Sequence, residues 1–330
     1  MKNIDTGDIT VGVVGLGLMG CSFIATLLIA GHDVKAVAPI AQDMEPAPER
    51  IRNHLILCEG AGLLDKPVDA YLSQLVISED YSILAACSLV LECVIEIPAI
   101  KKSVYEKIEA VVTKKSVIAS NTSAIPISEL QNYLRHPERF IGIHWAEPSY
   151  FSRFMEITCG NDSDIQYASW VYELAHCWGK EPTLLRKDLR GFITNRLMYA
   201  VYREGLSLVE KGEATLEDVD KAFRYDAGSW ITLMGIFRRM DYMGLKDHLE
   251  IFKTIFPDLC NEDTIPPIMQ KMVDIDARGT RNSLGLYSYS EGEARQWEEA
   301  FDLFNVDIFQ LATLYPSPRE KKPVAVSQYL

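Results

Sequence analysis

Apolar residues along this chain fall into two regimes. Up to about residue 186, short apolar runs alternate with longer amphipathic stretches; beyond Lys187 only helical spacing remains. The runs Ile9–Val14, Val34–Val37, Val76–Ser78, Ser88–Val94, Ser116–Ser120, Phe140–Trp145 and Phe154–Thr158 predict strands. Cys21–Ile29, Lys101–Val112, Ser128–Leu134 and Ser163–Trp178 predict helices, with Glu106 and Glu109 on the outer face of the second. Between residues 40 and 80 two further helices, within MEPAPERIRNHLILCEGAG and KPVDAYLSQL, interrupt the alternation. Alternating strands and helices build an open sheet covered on both faces, so residues 1–187 read as a doubly wound α/β domain. Residues 188–330 read as an all-helical domain. Its predicted helices are Gly191–Lys211, one starting at Thr215-Leu216-Glu217-Asp218 with an N-cap and acids in its first turn, Ile231–Tyr242 and Lys246–Phe256. From about residue 315, Pro316, Pro318 and Pro323 among charges predict an extended or mobile tail.

The first strand meets the first helix at Gly15-Leu16-Gly17-Leu18-Met19-Gly20. In such a turn one glycine allows the sharp reversal, one lets backbone N–H groups approach a diphosphate, and one lets helix and strand pack closely. The helix N-terminus adds free donors and partial positive charge. A GxGxxG string alone is a weak signal. Set between strand and helix at the head of a βαβ unit, it predicts a Rossmann-type dinucleotide site in which Gly15, Gly17, Leu18, Met19 and Gly20 face the cofactor. One part of the fingerprint is missing: the second strand ends Val37-Ala38-Pro39, where an acid would bind the adenosine ribose of NAD. A lost hydrogen bond to a charged acceptor is worth about 1.5–3 kcal/mol. No basic residue lies between Ala38 and Glu49 to receive a 2′-phosphate, and Asp43 is the nearest substitute acid for the ribose. NAD is therefore the expected cofactor and NADP the second candidate.

Bulk properties then narrow the class. With 330 residues, 48% hydrophobic and 24% charged, the chain suits a two-domain globular protein. A net charge of −13 disfavours nucleic acid and anionic membranes as partners. No apolar run reaches the ~18 residues of a membrane span, and the polar start MKNIDTGDIT does not read as a signal peptide. Seven scattered cysteines without a CxxC, several of them in apolar runs where a buried thiol is expected, predict a reducing, cytoplasmic setting and no metal site.

Ligands of such sheets bind at the carboxyl ends of the strands, where three polar features fall. Asn121-Thr122-Ser123 ends one strand, with Asn121 beside the cofactor path. His144 lies near the end of the next. Glu156 sits in the apolar strand Phe154–Thr158, where a carboxylate needs a partner. His144 and Glu156 can supply each other, the carboxylate fixing one imidazole tautomer and raising its basicity. A structural histidine at a strand end is the alternative.

These segments together resemble the 3-hydroxyacyl-CoA dehydrogenase family, which includes carnitine dehydrogenase and the L-gulonate dehydrogenase/λ-crystallin branch. The resemblance runs from about Ile9 to Tyr289. Besides GLGLMG it rests on LVLECVIEIPAIKKSVYEKI (89–108), ASNTSAIPISEL (119–130), HPERFIGIHWAEP (136–148), RFMEITCG (153–160), DLRGFITNRLMYAVYREGLSLVEKGEAT (188–215), MGIFRRMDYMGLK (234–246) and NSLGLYSY (282–289). It implies that His144 is the general base for a hydroxyl proton and that Glu156, twelve residues on, orients it. It implies that Ser123 and Asn195 bind substrate oxygens, that Glu96 and Lys101 line the nicotinamide ribose, and that the helical domain pairs two chains into a homodimer. For Glu96 and Lys101 the alternative is a surface salt bridge, and for Asn195 a bond at a helix N-terminus.

Two departures keep the substrate open. The family's histidine is usually followed by F-x-N-P, whereas here Trp145-Ala146-Glu147-Pro148 puts an acid in place of the amide. Glu147 can raise the pKa of His144 or bind a cation on the substrate; alternatively it faces solvent or pairs with an arginine such as Arg153. Residues 40–75, where the family can hold CoA, carry three basic against six acidic residues, a net charge of −3. CoA phosphates prefer the opposite sign. The implied reaction is reversible oxidation of a 3-hydroxyacyl thioester to the 3-keto compound. The alternatives are the same oxidation of a free, CoA-less hydroxy acid, carnitine-like or a sugar acid, and a non-catalytic nucleotide-binding or structural protein.

Overall fold

The computed structural model describes residues 4–290 and 292–315; the expected tail at 316–330 lies outside them. Strand β1 (Val11–Val14) leads through the glycine turn into α1 (Leu18–Ile29), then β2 (Val34–Val37), α2 (Ala47–Gly60), α3 (Val68–Leu72) and β3 (Leu75–Ser78). The second half runs β4 (Leu89–Glu92), α4 (Pro98–Val111), β5 (Val117–Ser120), α5 (Ile127–Gln131), β6 (Phe140–Trp145), β7 (Phe154–Cys159), α6 (Ile165–Cys177) and β8 (Glu181–Leu185). These strands form one eight-stranded sheet ordered β3-β2-β1-β4-β5-β6-β7-β8. The order reverses between β1 and β4, the switch point at which such sheets open a crevice. All neighbouring pairs are parallel except β6 and β7, which are antiparallel. This is the α/β Rossmann architecture that the strand–helix alternation predicted, followed by the helical segment.

Composition explains the order of layers. β1, β4 and β5 are buried at every position, as central parallel strands covered on both faces must be. Their aliphatic side chains, with α4 residues Val104, Tyr105 and Ile108, build the core beneath the sheet's carboxyl edge.

The structure corrects two sequence readings in this unit. β8 was missed because Pro182 interrupts a short run. Pro is tolerated on an edge strand, whose outer N–H groups have no ladder partner, and β8 is the edge. Glu109 does not face outward: its side chain is 3% exposed and lies 3.5 Å from the buried Arg139 guanidinium. Its carboxylate accepts the backbone N–H groups of Arg135 at 2.8 Å and His136 at 3.1 Å. A helical position read as solvent-facing from period alone is covered by the loop that precedes β6.

By its internal contacts the chain divides into two compact units, Met1–Arg196 and Leu197–Leu330. The helices of the later segment are α7 (Thr194–Glu210), α8 (Leu216–Ala222), α9 (Gly228–Met243), α10 (Leu245–Ile255), α11 (Pro267–Asp274) and α12 (Glu293–Leu314). Thr215 caps α8 with the reciprocal Thr215–Asp218 capping box. α11 and α12 went unpredicted. Among the described residues none after Phe192 is buried, and large apolar side chains such as Tyr199, Phe237, Trp297, Phe301 and Phe304 are more than half exposed. No helix among the described residues is long and apolar enough to cross a membrane.

Glu109→Ala leaves two N–H groups and a buried guanidinium short of an acceptor. It is expected to lower stability by about 3 kcal/mol, read as a shifted urea midpoint with an unchanged slope.

Candidate active site

The carboxyl ends of β4, β5 and β6 and the amino end of the antiparallel β7 gather the polar residues of the first unit. Because β6 and β7 are antiparallel, His144 and Glu156 stand directly opposite each other in register. The imidazole Nδ1 lies 3.2 Å from Glu156 Oε2, and the side chains are 12% and 1% exposed. Glu156 uses its other oxygen to accept the N–H groups of Ile193 at 2.9 Å and Thr194 at 3.1 Å. Those donors open α7, so the carboxylate lies at the end of that helix that carries partial positive charge. They are aimed by a tight turn: Gly191 and the buried Phe192 both have positive φ, +80° and +51°. A non-glycine residue there stores strain that the surroundings must hold. Phe192 and Phe154 flank the imidazole at ring distances of 5.7 and 5.5 Å. With Nδ1–H donated to Glu156, Nε2 is the imidazole nitrogen left to act as a base.

Beside this pair, Asn195 Nδ2 donates to the Ser123 carbonyl at 2.9 Å, so two residues 72 apart in sequence are joined. Ser123 N and Thr122 Oγ1 both donate to Glu96 Oε1 at 2.8 Å. Asn121 Oδ1 lies 3.4 Å from the backbone N–H of Trp145, tying the end of β5 to the end of β6. Glu96 is 42% exposed, and its other oxygen is 3.2 Å from Lys101 Nζ. Lys101 is not the surface ion-pair partner offered as an alternative, since its side chain is 1% exposed.

Lys101 leads to the residue that sequence reasoning passed over. Glu92, the last residue of β4, is fully buried and accepts Lys101 Nζ at 2.8 and 3.0 Å, Tyr105 Oη at 2.7 Å, Ser120 Oγ at 2.7 Å and Val94 N at 2.8 Å. Both carboxylate oxygens are fully engaged, which is what a buried charge requires. Burial and then the Glu92 charge push the Tyr105 phenol well above its usual range, keeping it a donor. An acid closing the apolar run Leu89-Val90-Leu91-Glu92, nine residues before Lys101, was the available signal.

The glycine turn has the shape a dinucleotide needs. Gly15 has φ +103°, and a Cβ on Gly20 would lie 1.8 Å from the Gly15 carbonyl oxygen. A Cβ on Gly17 would meet nothing within 4 Å, so the turn is open where phosphates approach. α1 has no side-chain cap at Gly17, which leaves the N–H groups at Leu18 and Met19 without a capping acceptor, and the Leu18 side chain is exposed. Ala38 is buried and Asp43 half-exposed in the turn that follows. Glu147 is half-buried, and its charge reaches the Cys21 thiol of α1. Arg153, its suggested partner, lies 3.9 Å from Glu181.

The loop joining β6 to β7 is clamped from two sides. Ser149 is hydrogen-bonded to Ser22 and Thr26 of α1. The buried Lys180 ammonium donates to the carbonyls of Ser149 and Ser152 and lies over the Trp145 ring at 5.2 Å. Burial, with Arg153 next, pushes Lys180 down to about 7.

Comparison with known proteins places this geometry in a class. Residues 10–189 match the NAD-binding domain of 3-hydroxyacyl-CoA dehydrogenase and residues 191–289 its C-terminal domain. The chain belongs to the 3-hydroxyacyl-CoA dehydrogenase family and is an NAD-dependent oxidoreductase. It is similar to 5-formyl-3-hydroxy-2-methylpyridine 4-carboxylate 5-dehydrogenase of Mesorhizobium japonicum, at 30% identity over 302 residues, 90% of this chain and 96% of that protein. It is also similar to a 3-hydroxybutyryl-CoA dehydrogenase of Mycobacterium tuberculosis, at 29% identity over 282 residues, 84% and 98% of the two chains. A crystal structure of the pyridine-carboxylate 5-dehydrogenase, described as an NAD+-dependent dismutase, superposes with a TM-score of 0.86 at 26% identity over 92% of this chain and 98% of that one.

For Lys180 the sign of the pH effect is fixed by its lowered pKa. Between about 7 and the ordinary 10.5 the unfolded chain binds more protons, so this group's contribution is full above the upper value and lost as pH falls through the lower. From pH 7 to 9.5 the melting temperature of wild type is expected to rise relative to that of Lys180→Met.

Proposed function

We propose that the protein interconverts a secondary alcohol and a ketone at carbon three of an acyl substrate, with His144 as general base. The observation that carries this reading is the His144–Glu156 pair, with Glu156 anchored by two backbone N–H groups. The nicotinamide, when bound, accepts the hydride. His144 Nε2 takes the hydroxyl proton, and the imidazolium so formed is stabilised by the Glu156 carboxylate that it faces. Ser123 and Asn195, joined by their hydrogen bond, present the hydroxyl and amide that hold the substrate oxygen. Glu96, Lys101 and Asn121 support the nicotinamide side, and the N–H groups of Leu18 and Met19 take the diphosphate.

Family membership favours a 3-hydroxyacyl-CoA as substrate, which would place the protein in fatty acid metabolism. Two observations favour a second reading, a free CoA-less carboxylic acid. The Mesorhizobium relative, whose name is that of a free carboxylate dehydrogenase, aligns over 90% of this chain, and its solved counterpart superposes at 0.86. Residues 40–75 are also net acidic, against the sign that CoA phosphates prefer. In this reading Glu147 selects the substrate's charge. A panel of 3-hydroxybutyryl-CoA, carnitine-like, sugar-acid and pyridine-carboxylate substrates, run with NAD and NADP, separates the two by which one yields reduced cofactor. His144→Ala is expected to lower kcat by 10²–10⁴-fold with NADH binding retained. Full turnover in the variant removes the general-base assignment, and no turnover of any substrate by wild type returns the non-catalytic alternative.

The helical segment supports homodimer formation. Six helices whose described residues include no buried side chain leave large apolar residues such as Phe237, Trp297, Phe301 and Phe304 more than half exposed, the kind of surface that association covers, and a second copy covers it. Light scattering is expected to give twice the chain mass of 37.2 kDa; a stable monomer contradicts it.

A further inference from the structure

The segment after β2 carries neither the acid that holds an adenosine ribose nor, as far as Glu49, a cation. Folding changes that inventory. α2 returns across the glycine turn and brings Arg50 Nη1 to 3.5 Å from the carbonyl oxygen of Leu16, the residue between the first two glycines. This single long contact leaves most of the guanidinium's five N–H donors for another acceptor, and Arg50 is an exposed residue. The same charge reaches Cys21 in the first turns of α1. Burial pushes that thiol up to about 11, Arg50 pulls it down, and Asp43 and Glu147 raise it. Of the three charges that act on this thiol, Arg50 is the cation. The Asp43 and Glu147 charges oppose that of a diphosphate, and the Arg50 charge offsets them.

We propose that Arg50 is a cofactor-binding residue that holds the diphosphate on the adenosine side of the dinucleotide, replacing from α2 the anchoring that Ala38 at the end of β2 does not supply. Arg suits the task because its planar fork meets phosphate oxygens in pairs. The inference rests on nucleotide binding at the glycine turn and adds to it a residue that neither the GxGxxG pattern nor the strand-end rule identifies.

The test is equilibrium binding, read by fluorescence titration of NADH and NADPH against wild type, Arg50→Ala and Arg50→Lys at low and high salt. Arg50→Ala is expected to weaken both nucleotides alike, by about tenfold for one lost charged hydrogen bond, with an unchanged melting temperature. Added salt is expected to weaken wild-type binding more than that of the alanine variant, and Arg50→Lys to recover part of the affinity. Unchanged NADH affinity in Arg50→Ala overturns the proposal. So does a loss confined to NADPH, which would assign Arg50 to the 2′-phosphate. Wild type that binds neither nucleotide overturns the cofactor site itself and is thereby distinguished from failure of Arg50 alone.

Discussion

The candidate site depends on one buried carboxylate. Glu156 sits on β7, is almost wholly removed from water, and must satisfy both oxygens inside the protein. One oxygen meets the imidazole on β6 and the other meets two backbone N–H groups at the start of α7. That pattern ties three segments: a strand, its antiparallel neighbour and the turn at Gly191–Phe192. Phe192, with its positive φ, immediately precedes those two donors. Removing the carboxylate would release the imidazole tautomer and the strained turn together.

A second buried carboxylate performs the matching task on β4, three strands away. Glu92 collects donors from β5, α4 and the loop that follows β4, and passes through Lys101 to Glu96 and on to the backbone of Ser123. The chain of contacts ends on Asn195, beside Ile193 and Thr194, the partners of Glu156. Two anchors in the sheet therefore converge on the turn that starts α7. Buried charges in such numbers are costly unless each is fully paired, and these pairings give the crevice edge a single arrangement of side chains. Preorganisation of this kind is what a hydride-transfer site needs from its protein, because the cofactor supplies the chemistry.

Much of this was legible from local pattern. Strand and helix periodicity marked seven of the eight strands, β1 to β7, and the glycine turn. The apolar surroundings of Glu156 predicted that it needed a partner, and His144 at the neighbouring strand end was the nearest one. The readings that failed share a cause. Glu109 looked solvent-facing because helical period tells only which face a residue is on, and a distant loop covers that face. β8 was hidden by Pro182, which is acceptable only because the strand is an edge. Glu92, the buried partner of Lys101, was passed over because it ends a strand that read as simply apolar.

The amino-acid sequence by itself determined the period of each element, the glycine turn and the supply of titratable groups. These depend on backbone sterics and on side-chain burial over neighbouring positions, both of which act within a few residues. Only the tertiary structure decided which of those groups meet: His144 with Glu156 through antiparallel register, Asn195 with Ser123 across 72 positions, and Arg50 with the glycine turn across 34. Such pairings arise when packed elements bring distant residues within hydrogen-bond range, and hydrogen bonds and charges act over ångströms of space with no regard for distance along the chain.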